Sequence, residues 1–253
     1  MENALNLCDM FPSYTARGYK DEEYDRIYHG SYFCSNYFLK TMGEQIHNEK
    51  ATIVIPTVTE RYYTRVMDCL ASYLGHCGSN PEIVVNDLGT MSYISHEYSL
   101  KMTAGRLLFK DLRDVRHNDI SEYVSPKILC DGHLEMLRQF GISAVELDRG
   151  WRQIDLSDVP GDIAIHMHRP MMYVSCGNIC EFASINRDEE HKFRPNDSCN
   201  YECSQLHNEY AIDSNSYFRI GKGVFTYAFR SEIIGREPDR EITTPYDFRG
   251  LRI

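Results

Sequence analysis

Four cysteines between positions 176 and 203 stand as two C-x3-C pairs: Cys176-Gly177-Asn178-Ile179-Cys180, then an 18-residue stretch, then Cys199-Asn200-Tyr201-Glu202-Cys203. The stretch between the pairs is strongly polar, with Asn186-Arg187-Asp188-Glu189-Glu190-His191-Lys192 in its middle, and offers no apolar run in which thiols would simply pack. Thiolates converging from such a loop hold soft metals. Structural zinc takes closely spaced Cys pairs, and iron–sulfur clusters also take sets of four cysteines. The spacing alone does not choose between them. Cys8, Cys69, Cys77 and Cys130 are scattered singly and read as packing thiols, because a free cysteine behaves as a small hydrophobe.

A second group of residues falls at the ends of apolar runs. Asn86 and Asp87 follow Glu82-Ile83-Val84-Val85, Arg106 ends the run from Lys101, Asp148 and Arg149 follow Ala144-Val145-Glu146-Leu147, and His168 ends the run from Asp162. In a barrel these ends share one face, where Asp87, Arg106, Asp148 and His168 would meet a small acidic substrate, a guanidinium gripping a carboxylate in two-pronged fashion. The competing structural roles are Asp87 as a helix cap and Asp148 as a partner of Arg149. His166 and His168 alternate along one strand and so face one side. No Asp/Glu-His motif of zincin type accompanies them. The basic run Arg106, Lys110, Arg113 and Arg116 is interleaved with Asp111 and Asp114, so it reads equally as an anion clamp or a solvated face.

The elements that must position these residues alternate in type. Runs of strand character are Asp25–Gly30, Ala51–Pro56, Glu82–Gly89, Lys101–Leu108, Ala144–Asp148 and Asp162–His168. Helical patterns fall at Tyr37–His47, Glu60–Leu74, Ser92–Tyr98 and His133–Phe140, the last stopped by Gly141. This alternation predicts βαβ units with right-handed crossovers, and thus an α/β, TIM-barrel-like fold, complete or partial. Tyr210–Phe229 is rich in Tyr and Phe around Gly221-Lys222-Gly223 and predicts a C-terminal β-hairpin extension. The expected organisation is an N-terminal segment (1–24), a barrel-like domain carrying the cysteines (25–205), and the hairpin with a loosely held tail or strap (206–253).

Composition bounds the function. The 253 residues suit one large domain, and an α/β barrel of about 250 residues would use nearly all of them. With 27 Lys+Arg against 37 Asp+Glu the net charge is −10, which disfavours nucleic acid as a partner. No apolar run approaches the ~20 residues of a membrane span, and the start lacks the pattern of a secretory signal, so a cytoplasmic setting with reduced thiols is expected. G-x-G-x-x-G after a strand, the P-loop, G-x-S-x-G and H-E-x-x-H are all missing, which removes support for nucleotide-driven, serine-hydrolase and zincin chemistry.

Several blocks, in order along about 25–205, resemble the collagenase-like peptidase (U-thirty-two) family, and within it the UbiV-type proteins. They are Ile27-Tyr28-His29-Gly30-Ser31-Tyr32-Phe33-Cys34-Ser35, Val84-Val85-Asn86-Asp87-Leu88-Gly89, and Ala104-Gly105-Arg106-Leu107-Leu108 with Lys110, Arg113, Asp114 and Arg116. Further on come Leu137–Ile142 with Val145-Glu146-Leu147-Asp148, and Arg194-Pro195-Asn196-Asp197-Ser198-Cys199 with Cys203. The resemblance implies a TIM-barrel-like fold and a four-iron four-sulfur (4Fe-4S) cluster. It also implies a heterodimer with a second, UbiU-like family member, and oxygen-independent hydroxylation in ubiquinone biosynthesis, with prephenate as hydroxyl donor. Other members hydroxylate RNA bases, and a few are described as collagen-degrading peptidases. Position by position, it implies Cys34, Cys180, Cys199 and Cys203 as ligands. Cys176 is an additional thiol that could take the place of Cys34, and the stretch from Cys180 to Cys199 is longer than the UbiV pattern. A structural-zinc scaffold or binding subunit is the alternative reading, and a collagenase-like peptidase ranks behind it.

Overall fold

The computed structural model describes residues 1–9, 20–42, 49–77, 81–109, 131–150, 154–195, 199–204, 206–212, 215–227 and 232–245. Eight parallel strands close into a barrel. In chain order they are β1 (Glu2–Asn6), β2 (Arg26–Gly30), β3 (Ala51–Ile55), β4 (Glu82–Val85), β5 (Met102–Ala104), β6 (Ile142–Asp148), β8 (Ala164–Arg169) and β14 (Arg240–Thr243). Sheet neighbours run in sequence order from β1 to β6, then β8, and β14 joins β8 to β1 and closes the ring. A short parallel pair, β7 (Ile154–Asp155) and β13 (Ile233–Ile234), lies outside it.

The expected TIM-barrel-like fold is therefore present and complete. Two boundaries differ from expectation. The N-terminal segment contributes β1, and the supposed tail contributes β14, so the barrel reaches beyond 25–205 at both ends. Glu2 and Arg240 explain both the pairing and why the pattern hid it. They sit opposite each other in register and form an ion pair at 2.6 Å. A short run carrying charges at its start has no apolar signature, and only ring closure supplies its hydrogen-bond partners.

The central strands carry their own logic. All five residues of β3 and all four of β4 are buried, as parallel strands covered on both faces require. Outside the barrel, α2 (Glu60–His76) presents Tyr62, Val66, Met67, Leu70 and Tyr73 to the strands at helical spacing. Helices α1 (Ser35–Met42), α3 (Leu88–Glu97) and α4 (Asp131–Gln139) pack likewise through Phe38 and Met42, Met91 and Ile94, and Leu134 and Leu137. Gly30 ends β2 at φ +105°, and a Cβ there would lie 2.4 Å from the Val54 carbonyl oxygen, so only glycine fits.

The hairpin is part of something larger. Strands β10 (Asn208–Ile212), β11 (Asn215–Ile220) and β12 (Gly223–Tyr227) continue onto β9 (Met171–Cys176), giving a four-stranded antiparallel sheet in the order β10-β11-β12-β9. Since β9 follows β8 almost directly, the sheet stands over the C-terminal mouth of the barrel. Its Tyr173, Phe218 and Phe225 share a core with Tyr32 and Phe33 just beyond β2.

Candidate metal centre

Cys34, Cys180, Cys199 and Cys203 line one cavity beside this mouth. They arrive by different routes. Cys34 lies four residues past β2, and its carbonyl accepts the first hydrogen bond of α1, from Phe38 N at 2.9 Å. Cys180 follows β9 and leads into a single 3-10 turn, Phe182–Ser184. Cys203 is buried within a second such turn, Glu202–Ser204, and Tyr201, between Cys199 and Cys203, takes φ +60° to make the reversal. Asn36 donates to the Cys199 sulfur at 3.7 Å, and the Tyr201 hydroxyl donates to the Asn36 carbonyl at 3.3 Å, tying the second pair of cysteines to α1.

Cys176 stands apart. It is exposed, its sulfur accepts from the Tyr173 hydroxyl at 3.2 Å, and it lines a neighbouring pocket rather than this cavity. Cys34, Cys180, Cys199 and Cys203 thus share one cavity, and Cys176 lines the next. Cys8 is buried in the same packed cluster as Cys34, Cys180 and Cys203 without lining the cavity, Cys69 and Cys77 are half-buried and do not line it either, and Cys130 lies outside the described residues.

The surroundings of the thiols are specific. Burial pushes Cys34 up to about 11, opposed by the positive charge of Lys222; burial also raises Cys180 and Cys203, and the other cavity sulfurs add to the rise. Lys222, nine-tenths buried in the turn between β11 and β12, faces this cavity, as do Arg187, His191 and Arg194. Asp9, just past β1, also lines it. Its carboxyl accepts from the Ser31 hydroxyl and from Tyr32 N (2.8 Å), and burial raises it to about 6. The Ser31 oxygen in turn accepts from Phe33 N (3.1 Å) and Cys34 N (2.8 Å), so the loop that presents Cys34 is pinned from below.

Among the described residues, no three His, Cys, Asp or Glu side chains are gathered into a group that would hold a single metal ion. Cys34, Cys180, Cys199 and Cys203 line one cavity, and soft sulfur donors of this kind suit zinc or an iron–sulfur cluster.

The proposed substrate residues occupy a second level, inside the barrel mouth. Arg106 is 1% exposed and donates to Asp148, to the Met171 carbonyl at 3.1 Å and to His168 Nδ1 at 3.3 Å. A guanidinium only donates, so Nδ1 is the acceptor and Nε2 carries the proton, which points at Glu146 at 3.3 Å. Tyr32 donates to the same carboxylate at 3.0 Å, and burial raises Glu146 to about 7. Arg106, Asp148 and His168 are thus brought together, but they bond to one another under the barrel's own cover, and Asp148 pairs with Arg106 rather than Arg149. Asp87 is not among them: it caps α3 by accepting from Thr90 N at 2.7 Å, and it also accepts from Val58 N at 3.0 Å. His166 is buried lower in the barrel, and burial drops it to about 4. Lys110, Arg113 and Arg116 lie outside the described residues.

Sequence reading missed Asp9, Ser31, Tyr32, Glu146 and Lys222 as parts of the site. Lys222 was signalled by the Gly-Lys-Gly turn, and Ser31, Tyr32 and Glu146 stand in the quoted blocks without being singled out; Asp9 is an ordinary residue until the barrel closes.

No family model matches the chain, and no curated protein or solved structure matches it significantly. The class defined by the fold is an eight-stranded parallel α/β barrel with a sheet over its C-terminal mouth. Among the described residues, no helix is long and apolar enough to cross a membrane.

Proposed function

We propose that this chain is an iron–sulfur protein of the UbiV type, holding a 4Fe-4S cluster on Cys34, Cys180, Cys199 and Cys203. In this reading it is a cytoplasmic subunit of an oxygen-independent hydroxylation system, acting on a small molecule beside a second, UbiU-like family member. The observation that carries the metal assignment is the shared cavity: thiols separated by as much as 169 positions, from Cys34 to Cys203, line one space at the C-terminal mouth.

When bound, such a cluster supplies one-electron transfer, and with four Cys ligands it leaves no iron open to substrate. The chain's own residues prepare the site. Lys222 favours the thiolate forms of Cys34 and Cys180. The start of α1 puts the positive end of a helix beside Cys34. Asp9, through Ser31, holds the Cys34 loop in place. Cys203 and Phe182 are buried and keep water from the inner side. Because burial keeps thiols protonated, loading must release protons and will weaken as pH falls.

The test is iron, sulfide and zinc analysis of protein purified without oxygen, for wild type, Cys34→Ala, Cys176→Ala and Cys180→Ala. Brown protein with broad visible absorbance is expected for wild type and Cys176→Ala, and loss of iron and sulfide for Cys34→Ala and Cys180→Ala. A colourless wild type carrying zinc would transfer the site to the structural-zinc scaffold reading. Iron lost from Cys176→Ala but kept in Cys34→Ala would overturn the ligand set.

A further inference from the structure

The inside of the barrel carries a polar level that neither the cysteine cavity nor the mouth uses. Thr52 of β3 precedes Ile53, Thr103 of β5 stands between Met102 and Ala104, and His166 of β8 stands between Ile165 and Met167. Those apolar neighbours pack outward in the core shared with the helices, so Thr52, Thr103 and His166 face the barrel axis. Ala4 of β1 faces it as well, in the inner cluster. Strand pairing puts the four at one height. Thr52 is in register with Tyr28 on one side and Glu82 on the other, and Thr103 with Val84 and Ala144. His166 is in register with Glu146 and Arg240, and Ala4 with Ile242 and Arg26. In a barrel of tilted strands, a register partner lies one step up on one side and one step down on the other. Inward residues of alternate strands therefore share a level, here those of β1, β3, β5 and β8.

Such levels are ordinarily filled by Val, Ile and Leu. This one is filled by two hydroxyls, an imidazole and a methyl. Thr52 and Thr103 are 0% exposed and His166 2%. Thr52 Oγ1, Thr103 Oγ1 and His166 Nδ1 are buried with no hydrogen-bond partner among the described residues. The polar groups of the adjoining levels are engaged elsewhere. Arg240 holds Glu82 and donates to the Tyr28 hydroxyl at 2.9 Å, while Glu146 accepts from Tyr32 at 3.0 Å and meets His168 at 3.3 Å. A buried donor or acceptor without a partner is costly, and three at one level of a barrel call for a partner in common. We propose that the barrel core binds an ordered water at this level, held by His166 Nδ1 and by the hydroxyls of Thr52 and Thr103. Water suits the set because a hydroxyl both donates and accepts, and three polar partners are the usual number for an internal water. Burial keeps the His166 imidazole neutral, so the level itself carries no charge that would call for an ion. The site belongs to the barrel alone and stands whatever the four-cysteine cavity holds.

Full-length protein serves for two direct measurements. A high-resolution crystal structure should show one density within hydrogen-bond distance of His166 Nδ1 and of both threonine hydroxyls. Oxygen-17 magnetic relaxation dispersion, which counts long-lived internal waters, should report one fewer in Thr52→Val/Thr103→Val than in wild type. Valine keeps the shape of threonine and removes only the hydroxyl, so the single variants give opposite signs for the two states of the core. With the water bound, Thr52→Val and Thr103→Val each take away one of its partners and lower the urea midpoint. With unpartnered hydroxyls, the same changes relieve a desolvated group and raise the midpoint. Midpoints raised or unchanged in both variants overturn the site. So does a wild-type crystal structure in which the three side chains bond directly to one another or border no density. Density with the short contacts of a metal cation overturns the assignment to water. The wild-type crystal structure decides the matter even if the valine variants do not fold.

Discussion

The Ser31 hydroxyl accepts a hydrogen bond from the Cys34 amide at 2.8 Å while donating its own proton to Asp9. One buried side chain therefore links the end of β1 to the loop that presents a candidate ligand. Ser31→Ala would strand two amides and leave Asp9 with a donor fewer. The expected cost is roughly 2–3 kcal/mol of stability, read as a lower urea midpoint, together with reduced iron per chain. If midpoint and iron content both equal those of wild type, the loop is not held this way.

The Arg106–Asp148 pair is buried on both sides. Arg106→Met leaves a carboxylate without its counter-charge, and about 3–5 kcal/mol should be lost. Arg106→Met combined with Asp148→Leu should recover part of that. Recovery stays incomplete because Arg106 also serves the Met171 carbonyl and Asp148 accepts from Tyr173 N. Urea unfolding of both single variants and the double variant measures the coupling. Additive losses would show that the pair is not coupled.

Glu146 makes stability depend on pH in an unusual direction. Burial raises its carboxyl to about 7 from an ordinary 4.5, so the folded chain binds this proton more tightly than the unfolded chain. Its contribution is fully favourable below pH 4.5 and is lost as pH rises toward 7, by about 3 kcal/mol. Glu82 acts oppositely. Burial would raise it, but Arg240 and Lys101 bring it down to about 2, so its contribution is lost as pH falls from 4.5 toward 2. Urea midpoints at pH 5 and pH 7 should show wild type weaker at pH 7, and Glu146→Gln nearly level. The same fall in both proteins would remove Glu146 as the cause.

Two glycines separate steric need from propensity. Gly30→Ala places a methyl against the Val54 carbonyl at a positive φ and should cost roughly 3 kcal/mol or more. Gly132, in the first turn of α4, has nothing within 4 Å of an added Cβ. Gly132→Ala should be neutral or stabilising by up to about 1 kcal/mol. Thermal unfolding of the two variants side by side is the check, and similar midpoints would contradict the account of β2.

The amino-acid sequence by itself determined the barrel's central strands, the covering helices and the grouping of cysteines near 176–203. Those features rest on local patterns: β-branched runs such as Ala51–Ile55, apolar spacing such as that of Tyr62, Val66 and Leu70, and thiols close together in a polar stretch. Strands β1 and β14 were illegible because Glu2 and Arg240 become strand residues only when the ring supplies their partners. The joining of β9 to the hairpin was hidden for the same reason, since pairing across some fifty positions leaves no local periodicity. Only the tertiary structure decided that Cys34 lines the cavity while Cys176 faces the next pocket, that Arg106 is occupied by Asp148, and that Lys222 points inward. Each of these depends on which distant groups meet when the barrel closes and the sheet lies over its mouth, and distance in space between residues far apart in sequence is a property of packing.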